Sequence, residues 1–178
     1  MPETSATGNV IIYTGDGKGK TSAAIGTAVR ASGHGYKVLF IFFMKGSGYT
    51  HGEVLALKNN PAITFKSFGR SGWVKKGQIT DDDIIQARAA LSCVRSAIIS
   101  SDYDFIIMDE VNTALDFGLV NFEELKDIII NRLPDVTLVL TGRNADPQIY
   151  ELADIVTEMK LVKYRYENGN NARKGLDY

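Results

Sequence analysis

Five apolar runs, rich in β-branched and aromatic residues and separated by helical patterns, constrain this chain more than any other feature. They fall at 9–14, 37–43, 62–68, 104–109 and 135–141, with a weaker sixth at 155–163. Most are continuously hydrophobic, and Val38-Leu39-Phe40-Ile41-Phe42-Phe43 is the extreme case. A strand with one wet face alternates, whereas a parallel strand covered by helices on both faces does not. Between the runs the sequence predicts helices near 20–32, 51–59, 81–101, 121–132 and 147–153. In the longest, Ile84, Leu91, Val94 and Ile98 recur at helical intervals as a core-facing stripe. Thr80 and Asn121 are suitable N-caps, the second with Glu124 at capping-box spacing. Gly33 and Gly35 suit a left-handed turn that closes the first helix. The alternation predicts one three-layer α/β domain on a mostly parallel sheet of five to six strands.

A chain of 178 residues can build that domain with a single core, since chains near this size bury roughly 70% of their unfolded surface. The net charge of −1 gives no general attraction to nucleic acid or to an anionic membrane. No apolar run approaches the ~20 residues needed to cross a bilayer. Cys93, the single cysteine, excludes an internal disulfide, fits a reducing cytoplasm, and within the long helix reads as an inert thiol. Residues 1–8 are polar and read as a disordered lead, which leaves 9–178 as the domain. Two stretches lack periodicity: the polar loop 69–79 and the tail from Tyr164 to Tyr178. Unstructured stretches of this length in a compact domain are often functional.

Chemistry concentrates at the ends of three strands. The first run leads into Thr14-Gly15-Asp16-Gly17-Lys18-Gly19-Lys20-Thr21-Ser22, followed by a helical pattern. Strand, glycine loop and helix in that order make a phosphate cradle, with backbone N–H groups and a helix N-terminus facing the anion. Lys20 can reach the β/γ region, and the Thr21 hydroxyl can complete the shell of a Mg²⁺ ion. The common pattern begins with glycine, so Thr14 marks a variant. The second site is Phe105-Ile106-Ile107-Met108-Asp109-Glu110, a buried strand ending in two acids that can hold Mg²⁺ opposite the loop hydroxyl. The third is Thr141-Gly142-Arg143, whose arginine can bind phosphate in bidentate fashion or simply pair at the surface. Trp73, the only tryptophan, lies in the polar loop near Arg70, Lys75 and Lys76, where it either meets a flat ligand or packs. His34 and His51 show no metal-ligand spacing and read as loop residues. Basic and aromatic residues in the tail, among them Lys160, Lys163, Arg165, Tyr164 and Tyr166, are diluted by acids and do not argue for nucleic acid.

Several of these strings together resemble a known family. Tyr13 through Thr21 is similar to the loop of the ATP:corrinoid adenosyltransferases of the CobA/CobO/BtuR family. Phe43-Met44-Lys45-Gly46 with Gly52-Glu53 resembles that family's second strand, and Tyr103 through Asn112 on to Gly118-Leu119 its acidic strand. Thr141-Gly142-Arg143, Ala153 to Met159 and Ala172 to Tyr178 resemble its C-terminal signature. The likeness runs from about Val10 to the last residue and rests on the ordered set.

The resemblance implies a RecA-like P-loop NTPase domain and a reaction. Co(I) of a reduced corrinoid, cobalamin or a precursor such as cobyrinic acid a,c-diamide, attacks the 5′ carbon of ATP and triphosphate leaves. It implies Mg²⁺ or Mn²⁺ held by Thr21 and Glu110 with Asp109 in support. Phosphate would be bound by Gly15, Asp16, Gly17, Lys18, Gly19, Lys20, Thr21 and Ser22, with secondary contacts from Lys45 and Arg143. Trp73 would lie on the corrinoid side, keeping the lower axial ligand off cobalt. Lys20, Thr21 and Glu110 would carry the chemistry. An electron-donating flavoprotein, a homodimer and a cytoplasmic location are further implications. Many relatives carry a helical extension before the first strand, where about eight residues stand in this sequence, and a phenylalanine near the tryptophan, where this sequence reads Arg70-Ser71-Gly72-Trp73. Two other readings of the loop remain open: a kinase or ATPase acting at the γ-phosphate, and a non-catalytic binding protein.

Overall fold

The computed structural model describes residues 7–46, 51–70, 72, 74–163 and 173–175. Along them run β1 (Val10–Thr14), α1 (Lys20–Gly33), β2 (Val38–Phe42), α2 (Gly52–Leu57), β3 (Ile63–Ser67) and α3 (Asp81–Ser100). Then follow β4 (Phe105–Asp109), α4 (Val111–Asp116), α5 (Phe122–Ile130), β5 (Thr137–Thr141), α6 (Pro147–Tyr150) and β6 (Ile155–Glu158). The six strands form one sheet in the order β3-β2-β4-β5-β1-β6, and every pairing is parallel. β5 therefore separates the loop-bearing strand β1 from the acid-bearing strand β4.

Strand periodicity sorts the core into two layers. Val38, Phe40 and Phe42 of β2, Ile107 of β4 and Val139 of β5 pack with α1. Leu39, Ile41, Ile106, Met108, Leu138 and Leu140 point the other way, against α3 and α5. Both faces are apolar, which is why the runs do not alternate. α1 meets the sheet through Ala24, Ala28 and Ala31, small residues at helical spacing that let backbone approach backbone. The stripe on α3 is also borne out: Leu91, Val94 and Ile98 are buried and Ile84 packs at its edge.

Thr80 caps α3 in a reciprocal capping box with Asp83. Asn121 caps α5 through the Glu123 N–H rather than in a box with Glu124. Gly35 takes the left-handed conformation with φ of 84°, while Gly33 completes the helix. Three expectations change. The weak sixth run is strand only over Ile155–Glu158. Residues 111–116 form the short helix α4, too brief for periodicity to reveal. Of the lead expected over 1–8, residues 1–6 lie outside the described residues, and Gly8 is buried with its N–H on the Pro134 carbonyl at 2.7 Å.

Candidate active site

The parity of β4 decides where its acids go. Ile107 faces α1, so Asp109, two residues on, faces α1 as well. It arrives fully buried beside the helix N-terminus, where the Thr21 hydroxyl donates to its Oδ1 at 2.9 Å. Thr141 ends the intervening strand β5, and its hydroxyl donates to the same oxygen at 2.7 Å. Lys45, just past β2, places its ammonium 2.7 Å from Oδ2. Three strand ends and one helix start thus converge on a single carboxylate.

Asp109 is consequently enclosed by donors, whereas Glu110 turns away from the strand. Its backbone is left-handed, with φ of 65°, and its N–H donates to Thr141 Oγ1 at 3.0 Å. Glu110 Oε2 accepts the Thr113 hydroxyl at 2.6 Å, and Thr113 Oγ1 accepts the Arg143 N–H at 2.9 Å. Gly142 passes so close to α4 that a Cβ there would lie 2.6 Å from the Thr113 nitrogen. The turn after β5 and the start of α4 are therefore fitted to each other. Asn112, inside that contact, is fully buried, and its side-chain amide has no hydrogen-bond partner among the described residues.

The glycine loop has a second tenant. Gly17 N–H donates to the Met159 carbonyl at 2.6 Å, and Met159 N–H donates to Thr14 O at 2.8 Å, so the chain leaving β6 lies along the loop. Cβ atoms on Gly15 and Gly17 would meet that carbonyl oxygen at 2.5 and 2.6 Å. Two of the three glycines are thus required by a neighbouring backbone; Gly19, with φ of 112°, is required by the turn into α1. Gly17→Ala is expected to cost about 1–3 kcal/mol, because backbone cannot yield to the new methyl as a flexible side chain can. A thermal melt against the unmodified protein checks it.

Lys20 folds back over the loop, its ammonium donating to the Gly15 and Gly17 carbonyls at 2.6 and 2.7 Å. Burial lowers its pKa and Arg143 pushes the same way, while Glu110, Asp16 and Asp109 oppose. For Lys45 burial also opposes the charge, but Asp109 and Glu110 outweigh it and raise the pKa. Asp16, Lys18 and Ser22 are exposed on the loop and helix rim. Trp73 lies outside the described residues.

His34 is exposed at the end of α1, as a loop residue would be. His51 also lies outside the regular elements, at the N-cap of α2, but it is buried and stacked on Phe42, with centroids 4.6 Å apart. Burial, then the charge of Lys45, lowers its pKa from 6.5. The unfolded chain therefore takes up the proton first, and stability falls as pH drops from about 6.5 to the folded pKa, then levels off. His51→Phe keeps the stack and should flatten that limb in urea unfolding series at stepped pH.

The oxygen donors suit a hard divalent cation. Thr21, Asp109 and Glu110 offer one hydroxyl and two carboxylates, and Mg²⁺ is usually held by one or two carboxylates together with substrate phosphates. Asp109 already accepts from two hydroxyls and an ammonium, which fits support rather than direct ligation. Among the described residues no cluster of three His, Cys, Asp or Glu forms a self-sufficient metal site.

The side-chain roles of Thr141 and Thr113 and the backbone role of Met159 were not singled out in the sequence. The string Thr141-Gly142-Arg143 drew notice for its arginine, yet its threonine makes the buried contact. The available signal was position: Thr141 ends a strand beside both β1 and β4.

A six-stranded parallel sheet with a glycine loop after β1 and an acid pair at the end of β4 defines a P-loop α/β protein. The chain belongs to the ATP:corrinoid adenosyltransferase BtuR/CobO/CobP family, whose model matches residues 6–178. It is 34% identical over 171 residues to a corrinoid adenosyltransferase of Pseudomonas aeruginosa, covering 96% of this chain and 84% of the relative. It is 33% identical to the corrinoid adenosyltransferase of Escherichia coli, covering 96% and 86%. The same coverage holds for corrinoid adenosyltransferase CobA of Salmonella typhimurium, at 32% identity.

Proposed function

We propose that this protein transfers the 5′-deoxyadenosyl group of ATP to the Co(I) centre of a reduced corrinoid. The observation that carries the reading is the meeting of Lys20, Thr21, Asp109 and Glu110 at the ends of β1 and β4, in a chain of the corrinoid adenosyltransferase family. The cobalt lone pair forms the new bond to C5′, the C5′–O bond breaks with its electrons on oxygen, and triphosphate departs. Cobalt passes formally from Co(I) to Co(III). The nucleophile is a metal centre, so no side chain has to remove a proton.

The work of the protein is then electrostatic and positional. Lys20 and backbone amides of the Gly15–Ser22 loop hold the triphosphate and stabilise charge as it builds on the leaving group. Lys18, Asp16 and Arg143 form the rim of that cradle. A Mg²⁺ or Mn²⁺ ion on Thr21 and Glu110 would supply further positive charge to the departing oxygens. Thr141 and Lys45 fix the Asp109 carboxylate so that Thr21 is held in one orientation. Lys45 acts on phosphate through that carboxylate more than by direct contact. Trp73 serves the corrinoid side, where apolar bulk keeps water and a lower ligand from cobalt. Cobalamin or a precursor is the substrate, a flavoprotein supplies electrons, and the working form is a cytoplasmic homodimer.

Incubation with ATP, Mg²⁺ and chemically reduced cobalamin tests the reading. Triphosphate and an alkylcobalt spectrum are expected; ADP would instead point to γ-phosphate transfer, and binding without turnover to a carrier. Trp73→Ala should raise the corrinoid KM while leaving the ATP KM nearly unchanged. Equal loss of both would remove the role given to Trp73.

A further inference from the structure

Among the described residues the Glu110 carboxylate meets one donor, and that donor is the Thr113 hydroxyl. It donates to Oε2 at 2.6 Å, and Oε1 takes no hydrogen bond or ion pair from the described residues. Asp109, one residue earlier, is held at both oxygens. Glu110 is the N-cap of α4, yet its side chain caps no N–H of that helix. A helical threonine commonly returns its hydroxyl to a carbonyl one turn back. Thr113 gives its proton to the acid at that spacing instead.

The hydroxyl is itself oriented. A backbone N–H can only donate, so the Arg143 N–H, 2.9 Å from Thr113 Oγ1, takes a lone pair and leaves the single hydroxyl proton for Oε2. That contact depends on Gly142, where a Cβ would stand 2.8 Å from Thr113 Oγ1. Gly142 N–H donates to Tyr13 O at 3.2 Å, which ties the same turn to the strand that carries the glycine loop. Burial lowers the Lys20 pKa, and among the acids that oppose it Glu110 acts most strongly, so the steadied charge is felt at the loop. We propose that Thr113 is a positioning residue for the divalent cation: it fixes the Glu110 carboxylate by one oxygen and leaves the other to ligate the metal. The ligation rests on the function proposed above; the hold of the hydroxyl on Glu110 does not.

Metal binding tests this without corrinoid or turnover. Mn²⁺ is titrated into protein held in excess over ATP, so that the nucleotide is bound, and free Mn²⁺ is read from its EPR signal. Thr113→Val keeps the shape and removes the hydroxyl; it should raise the Mn²⁺ dissociation constant about tenfold, the low end for a residue that orients a metal ligand. Thr113→Ser should stay within about twofold of the unmodified protein, and metal-free ATP affinity within about twofold in both variants. Thr113→Val combined with Glu110→Gln should bind Mn²⁺ no more weakly than Glu110→Gln alone, because the hydroxyl acts through that carboxylate. Thr113→Ala carries the same expectations and replaces the valine variant if a thermal melt shows that valine prevents folding. An unchanged Mn²⁺ constant, additive losses, failure of Thr113→Ser to retain affinity, or an equal loss of metal-free ATP binding would overturn the proposal. If Glu110→Gln binds Mn²⁺ as well as the unmodified protein, the metal role of Glu110 fails and the proposal with it. A weakened Glu110→Gln beside an unaffected Thr113→Val removes the positioning role alone.

Discussion

Asp109→Asn should lower the free energy of unfolding by about 3 kcal/mol and abolish adenosyl transfer, although the side chains are nearly the same size. The change leaves the Lys45 ammonium facing a neutral amide in a site where Asp109 is fully buried. Losing one partner of a buried pair strands the other charge, which costs about 3–5 kcal/mol in dry surroundings. Lys45 retains 23% exposure, so water recovers part of that loss and the lower end of the range applies. Removing both charges separates the two roles. Asp109→Asn with Lys45→Met should regain most of the stability, because nothing charged is left stranded, yet remain inactive. Urea midpoints and the alkylcobalt spectrum together measure this; recovery of activity in the double variant would show that the carboxylate is only structural.

Lys20→Met is expected to reduce kcat/KM by about 10³-fold, the scale of losing one preorganised group that meets developing charge. Stability should move in the opposite direction or not at all. The ammonium is buried against two loop carbonyls, and burial opposes its charge, as the lowered pKa records. A methionine of similar length fills the space without that desolvation. Steady-state kinetics beside a thermal melt checks both halves. A large drop in melting temperature would instead make Lys20 mainly a brace for the loop.

Much of the scaffold could be read from residue order because its strands are covered on both faces. Val38 to Phe43 has no polar face to give water, so its burial between two helix layers follows directly. The loop and the acid pair were legible for a similar reason: each is a local string with its own chemistry. What escaped was the contact between strings. Nothing in Thr141 announces that β5 will lie between β1 and β4, which alone brings its hydroxyl to Asp109. Met159 hides in the same way, since parallel pairing of β6 with β1 carries its carbonyl onto Gly17. His51 was legible as a loop residue, but its burial was not, because a ring stack on Phe42 leaves no trace in spacing. Short α4 escaped because six residues are stabilised by tertiary contacts rather than by their own propensity.

Met44, Glu110 and Asn144 share a conformation that most side chains avoid, with φ of 59°, 65° and 52°. Each stands just beyond the end of a central strand, β2, β4 or β5, on the rim where the chemistry gathers. Left-handed backbone costs a branched-from-Cα residue about 1–2 kcal/mol, less for asparagine, and glycine relieves it. At Glu110, heat resistance therefore competes with the metal-holding role proposed for its carboxylate. A breeding scheme that ranked variants by melting temperature alone would favour glycine at Glu110 early, and would return a sturdier protein stripped of the carboxylate proposed to hold the metal.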